Sequence, residues 1–134
     1  MTRPRFASSA SWRSAMRLAV WVHRLSRRLP AEEQSGLAAS LRRSAVAATQ
    51  QIADADGRPD DGEAAQRYAA ALASLRELGT AGLLCRRLKY IRGGRLRDLQ
   101  RRIAKVVSRV ESDRCACASQ TSRRSEGHRP KLAA

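Results

Sequence analysis

Arg97, Arg101 and Lys105 recur every four residues, and Arg95, Arg102 and Arg109 recur every seven. On a helix each set falls on one face, and the two faces adjoin. Asp98 is the only acid among them before Glu111. The chemistry open to such stripes is charge neutralisation. Guanidinium and ammonium groups hold the phosphates of a polyanion, salt weakens the attachment, and base sequence is not read. A solvated helix face with no ligand is the plainer alternative. Arg86, Arg87, Lys89 and Arg92 form a second cluster near the expected end of a helix, where part of their charge offsets the negative pole of the dipole. Arg42 and Arg43 make a third, smaller group.

Other chemistry finds little support. Cys115-x-Cys117 with His128 offers three metal ligands in a polar tail, where a tetrahedral site needs four. Three cysteines are an odd and uneven set that does not read as a disulfide framework, so a reducing cytoplasm is expected. No Ser/His/Asp set, paired carboxylates or phosphate-cradling glycine loop is present, so the expectation is a non-enzyme without cofactor or metal. His23 lies among arginines and reads as a surface or interface residue. Asp54, Asp56, Asp60 and Asp61 cluster near one loop, which a turn and helix caps account for. Aromatics are 4% of the chain, too few to stack a run of bases. Tyr90 is the one aromatic beside a basic cluster, and it reads first as a packing residue.

The charge is global as well as local. Lys and Arg number 27 against 12 Asp and Glu, a formal +15 over 134 residues. Such a balance repels itself in a compact state and calls for a polyanionic partner: nucleic acid, an anionic membrane surface or an acidic protein.

Helices must position these cations. With few aromatics the core is expected to be Leu, Ala, Val and Ile at close helical spacing. The first helix is expected over 11–29, with one apolar series of Trp12, Met16 and Ala19 and another of Leu18, Val22, Leu25 and Leu29. Pro30 ends it. The second is expected over 31–55, with Glu32 and Glu33 in its first turn and Leu37, Leu41, Ala45, Ala48 and Ile52 inward. A turn at 57–62 precedes Asp60 and Glu63, which have capping-box spacing. The third helix is expected over 63–88, burying Tyr68, Leu72, Leu75, Leu78 or Gly79, and Leu83. After Gly93-Gly94 the fourth is expected over 95–112, burying Leu96, Leu99, Ile103, Val106 or Val107, and Val110. Residues 1–10 read as a flexible arm and residues 113–134 as a disordered basic tail.

Short loops make successive helices antiparallel neighbours, so the expected fold is all-α, an up-down-up-down four-helix bundle over 11–112. No apolar run approaches the ~20 residues needed to span a bilayer. Residues 1–31 lack acids and resemble a mitochondrial transit peptide, but later helices supply a partner face, which favours a bundle helix.

Several segments carry a resemblance. Residues 29–58 begin Leu-Pro-Ala-Glu-Glu, pass Leu41-Arg42-Arg43 and reach Gln51-Ile52-Ala53-Asp54 and Gly57. Residues 71–78 read Ala-Leu-Ala-Ser-Leu-Arg-Glu-Leu, and Leu83-Leu84 leads to Leu88-Lys89-Tyr90-Ile91. Trp12 and Ala15 match a Trp-x-x-Ala opening. In order and spacing this resembles the 23S rRNA-intervening-sequence (four helix bundle) family over about residues 10–110. Gln51, Asp54 and Ala55 stand where that family's pattern has Asn, Glu and Gly. The resemblance implies a four-helix bundle, a homo-oligomer such as a ring-shaped pentamer, and association with nucleic acid, RNA before DNA. A related branch implies an alternative: a protein-interaction module, such as the accessory protein of a diversity-generating retroelement reverse transcriptase.

Overall fold

The computed structural model describes residues 9–127. Among the described residues there are four helices, α1 Ala10–Ser26, α2 Leu37–Gly57, α3 Asp61–Arg87 and α4 Gly93–Gly127, and one 3-10 turn at Ala31–Glu33. Each packs against the next, and α4 closes the square on α1. This is the expected all-α, antiparallel four-helix bundle.

The core is aliphatic. Leu18, Val22 and Leu25 of α1 meet Leu41, Ala45, Ala48 and Ile52 of α2, Leu72, Leu75 and Leu78 of α3, and Leu99, Val106 and Val110 of α4. The second α1 series does not bury: Met16 is 40% exposed, and Trp12 and Ala19 are half-buried. Leu83 also faces solvent, because it stands well round the α3 surface from Leu75 and Leu78.

Local chemistry sets the boundaries. Ser9 caps α1, accepting from the Trp12 backbone N–H at 3.2 Å. The second helix starts at Leu37 rather than at residue 31. Gly36 interrupts the backbone, and the Glu33 carboxylate reaches past it to accept from the Leu37 N–H at 3.1 Å. A side chain at 36 would crowd that carboxylate. Asp60 caps α3 by accepting from the Glu63 N–H at 2.9 Å, as the spacing predicts.

The main departure is α4, which continues as helix through Gly127, whereas the composition from residue 113 predicts a disordered tail. Antiparallel packing explains it. α3 has 27 residues, about 40 Å of helix, against 17 for α1, about 26 Å. A partner for all of α3 must therefore run well past residue 112. Cys117 packs on the core there, and Arg124 pairs with Asp61 at 3.8 Å. Residues 1–8 of the expected arm and 128–134 of the expected tail, His128 included, lie outside the described residues.

Candidate nucleic-acid interface

Antiparallel packing gathers the end of α1, the start of α2, the end of α3 and the start of α4 at one pole of the bundle. Hydrogen bonds confirm the neighbourhood. Gln34 Nε2 donates to the Ser26 and Leu29 carbonyls, both at 3.0 Å, and Arg42 reaches Ser26 and Gln34. This pole carries Arg24, Arg27 and Arg28, then Arg43, then Arg86, Arg87, Lys89 and Arg92, then Arg95 and Arg97. All are exposed except the half-buried Arg95. The opposite pole holds Asp54, Asp61 and Glu63, paired with Arg58, Arg67 and Arg124, and Asp60, which caps α3. Ten of the 27 Lys and Arg thus stand at one end, with Glu32 and Glu33 beside them.

Helix chemistry sharpens that pole. α4 has no acid in its first turn, yet Arg95 stands there beside the positive pole of the dipole, which opposes it. The end of α3 is closed by backbone bonds from Tyr90 N–H to the Cys85 carbonyl at 2.9 Å and from Lys89 N–H to the Arg86 carbonyl at 3.0 Å. Lys89 occupies the left-handed position of that cap, φ 65°. The turn therefore projects Arg86, Arg87 and Lys89 outward.

The predicted residues do not all behave alike. Arg97, Arg101 and Lys105 run down the solvent face of α4, turned away from Leu99, Val106 and Val110. Arg101 pairs with Asp98. Arg95, Arg102 and Arg109 lie on the flank of α4 toward α1. Among the described residues no carboxylate comes within ion-pair distance of Arg43, Arg86, Arg87, Lys89, Arg95, Arg97, Arg102, Lys105 or Arg109. Arg42 differs. It is half-buried and donates to Ser26 Oγ at 3.0 Å and to the Gln34 carbonyl at 2.8 Å, which latches α1 to the α2 approach. Tyr90 faces Glu33 rather than the cations. Desolvation first, and the Glu33 and Glu32 charges next, raise its hydroxyl above the ordinary tyrosine range.

α1 also contributes to this surface, which the residue spacings of α4 alone do not reveal. The Arg102 guanidinium lies over the Trp21 ring, 4.9 Å from its centroid. Together with Arg17, Arg24, Met16 and Val20 they line a cavity of about 380 Å³. Arg17 and Arg24 are seven apart with Trp21 between them, a signal present in the sequence but visible only once α4 is set beside α1.

The 23S rRNA-intervening sequence protein family model matches residues 8–112. The chain belongs to this family. No curated protein matches it. In this member of the 23S rRNA-intervening sequence proteins the stretch of α4 beyond Ser112 lies outside the family match. Its departures from the family pattern are structurally occupied. Gln51 Oε1 accepts from Ser74 Oγ at 2.8 Å, tying α2 to α3 through two of the segments that carried the resemblance. Asp54 pairs with Arg58 and Arg67, each at 3.2 Å.

At the acidic pole each helix gives one group to a polar cluster: Ser11 donates to Asp113, and the Tyr68 hydroxyl donates to Asp56. Burial raises the Asp56 carboxyl above its usual range, and the Tyr68 hydrogen bond offsets part of that. Arg109 lines the cleft over this cluster. Burial also raises the Cys85 and Cys117 thiols, which keeps them protonated and poorly nucleophilic. Among the described residues no three His, Cys, Asp or Glu side chains gather as metal ligands, and no helix is long and apolar enough to cross a membrane.

Proposed function

We propose that this protein is a non-enzymatic, cytoplasmic, homo-oligomeric member of its family that binds nucleic acid, RNA before DNA, with little dependence on sequence. The observation that carries the reading is the cationic pole and its extension down α4. Nine of the eleven cations predicted from sequence are exposed or half-exposed there with no carboxylate partner among the described residues. Folding gains nothing from such a concentration, and phosphates neutralise it. Arg43, Arg86, Arg87, Lys89, Arg95, Arg97, Arg101, Arg102, Lys105 and Arg109 are assigned as contacts. Arg42 supports the site through α1 rather than touching the ligand. Nuclease-treated protein titrated with labelled RNA at low salt tests this, and absence of binding would refute it.

A second surface favours protein contact. Val46 is 37% exposed, and with Trp12, Ala19 and Ala53 it lines an apolar groove between α1 and α2. We assign it to oligomer formation, as in a ring of copies. Light scattering on nuclease-treated protein should give a mass above one chain. An accessory role toward a reverse transcriptase would instead require a heteromeric complex that survives the nuclease.

A further inference from the structure

The cavity between α1 and α4 is built differently from the rest of the cationic surface. Its floor is apolar: Met16 and Val20, 40% and 47% exposed, beside the half-buried Trp21 ring. Its rim is three guanidiniums, Arg17, Arg24 and Arg102, all exposed, and no acid lines it. Arg102 already lies over Trp21 and is itself exposed. About 380 Å³ falls within the roughly 300–1,000 Å³ of pockets that enclose small ligands.

From this geometry we infer that the cavity receives a single unpaired nucleobase, stacked on the Arg102–Trp21 pair, while Arg17 and Arg24 hold the flanking phosphates. The inference rests on the nucleic-acid reading above and adds a preference for single-stranded or bulged strands over duplex. Three features require it together. An apolar, aromatic floor gains from a planar ring but gains nothing from phosphate alone. Guanidinium planes and aromatic rings are the surfaces on which splayed bases stack. A protein occupant would have to bring carboxylates to three guanidiniums to offset their desolvation. A strand supplies base and phosphates on one backbone. A duplex keeps its base faces stacked on each other, so its approach satisfies the arginines only.

The test uses the full chain carrying Trp12→Phe, so that Trp21 is the sole indole emitter, after light scattering has matched its mass to that of the parent. Short single-stranded oligoadenylate, an RNA duplex of equal length and inorganic polyphosphate are titrated at low salt. The account expects oligoadenylate to quench Trp21 and to bind about tenfold more tightly than duplex, the scale of one stacked base. Polyphosphate should bind with little quenching. Arg17→Gln with Arg24→Gln, both exposed and checked for unchanged helical circular dichroism in the Trp12-containing chain, should weaken oligoadenylate more than duplex. Equal affinity for strand and duplex with unchanged Trp21 emission would overturn the inference and leave general nucleic-acid binding standing. Equal quenching by polyphosphate, or quenching only by anionic lipid vesicles, would also overturn it. Failure of strand and duplex alike to bind would remove the nucleic-acid reading and this inference together.

Discussion

Lys89 holds a left-handed backbone conformation, φ 65°, at the position where a helix cap normally uses glycine. An L side chain there costs about 1–2 kcal/mol of backbone strain. Lys89→Gly should therefore stabilise the protein by about 1 kcal/mol, read as a higher midpoint in urea unfolding. It should at the same time weaken RNA binding, because the substitution removes the exposed Lys89 ammonium from the cationic pole. Asp56 carries a second residue-scale prediction. Its folded-state pKa is raised above the unfolded value of 3.8, chiefly by burial. The folded state thus holds the proton more tightly than the unfolded state does. Its favourable contribution is complete below the unfolded pKa and is lost as pH rises through the folded pKa. Asp56→Asn stays neutral throughout, so the melting temperature of the variant relative to the parent should rise between pH 4 and pH 7. A constant difference would refute this. The individual cations were legible as types and spacings. Which of them work inward was not: Arg42 beside Arg43 looks equivalent in sequence, and only the folded linker gives Arg42 its oxygens on Ser26 and Gln34.

Element boundaries were legible where a capping side chain marks them, as at Asp60 and Glu63, and illegible where distant geometry decides. The α4 extension reads as polar tail because only Cys117 among its residues packs on the core; its helix is imposed by the length of α3 beside it. The start of α2 turns on Glu33 reaching over Gly36, a contact between residues that the apolar periodicity puts inside one helix. Gly79 and Gly82 separate the same way. A Cβ at 79 would meet Ile103 Cδ1 at 4.0 Å, an ordinary contact, whereas one at 82 would be driven into the fully buried Leu99 side chain. Both alanines gain about 1 kcal/mol of helix propensity. Gly79→Ala should keep that gain. Gly82→Ala should lose it to overpacking of about 1–3 kcal/mol. Thermal unfolding of the two variants should place Gly79→Ala above the parent and Gly82→Ala at or below it; the reverse order would refute the packing account.

For the whole molecule, the bundle itself follows from periodicity, breakers and alternating direction, and the family match over residues 8–112 agrees with it. The charge distribution follows less directly. Arginines at 24–28, 42–43, 86–92 and 95–97 are scattered in sequence, and antiparallel packing alone brings them to one pole, away from the aspartates of the α2–α3 turn. The same packing sets Trp21 against Arg102 and converts two unrelated stripes into a lined cavity. The central claim is that this pole and the face running from it down α4 neutralise phosphates, and the salt dependence of RNA affinity tests it most directly. Each phosphate contact contributes about −0.7 to the slope of log K against log salt for a single strand. The account predicts a steep negative slope. Joint replacement of Arg97, Arg101 and Lys105 by Gln should flatten it by about 2 with helical content unchanged. A slope near zero, or one untouched by that triple replacement, would contradict the account.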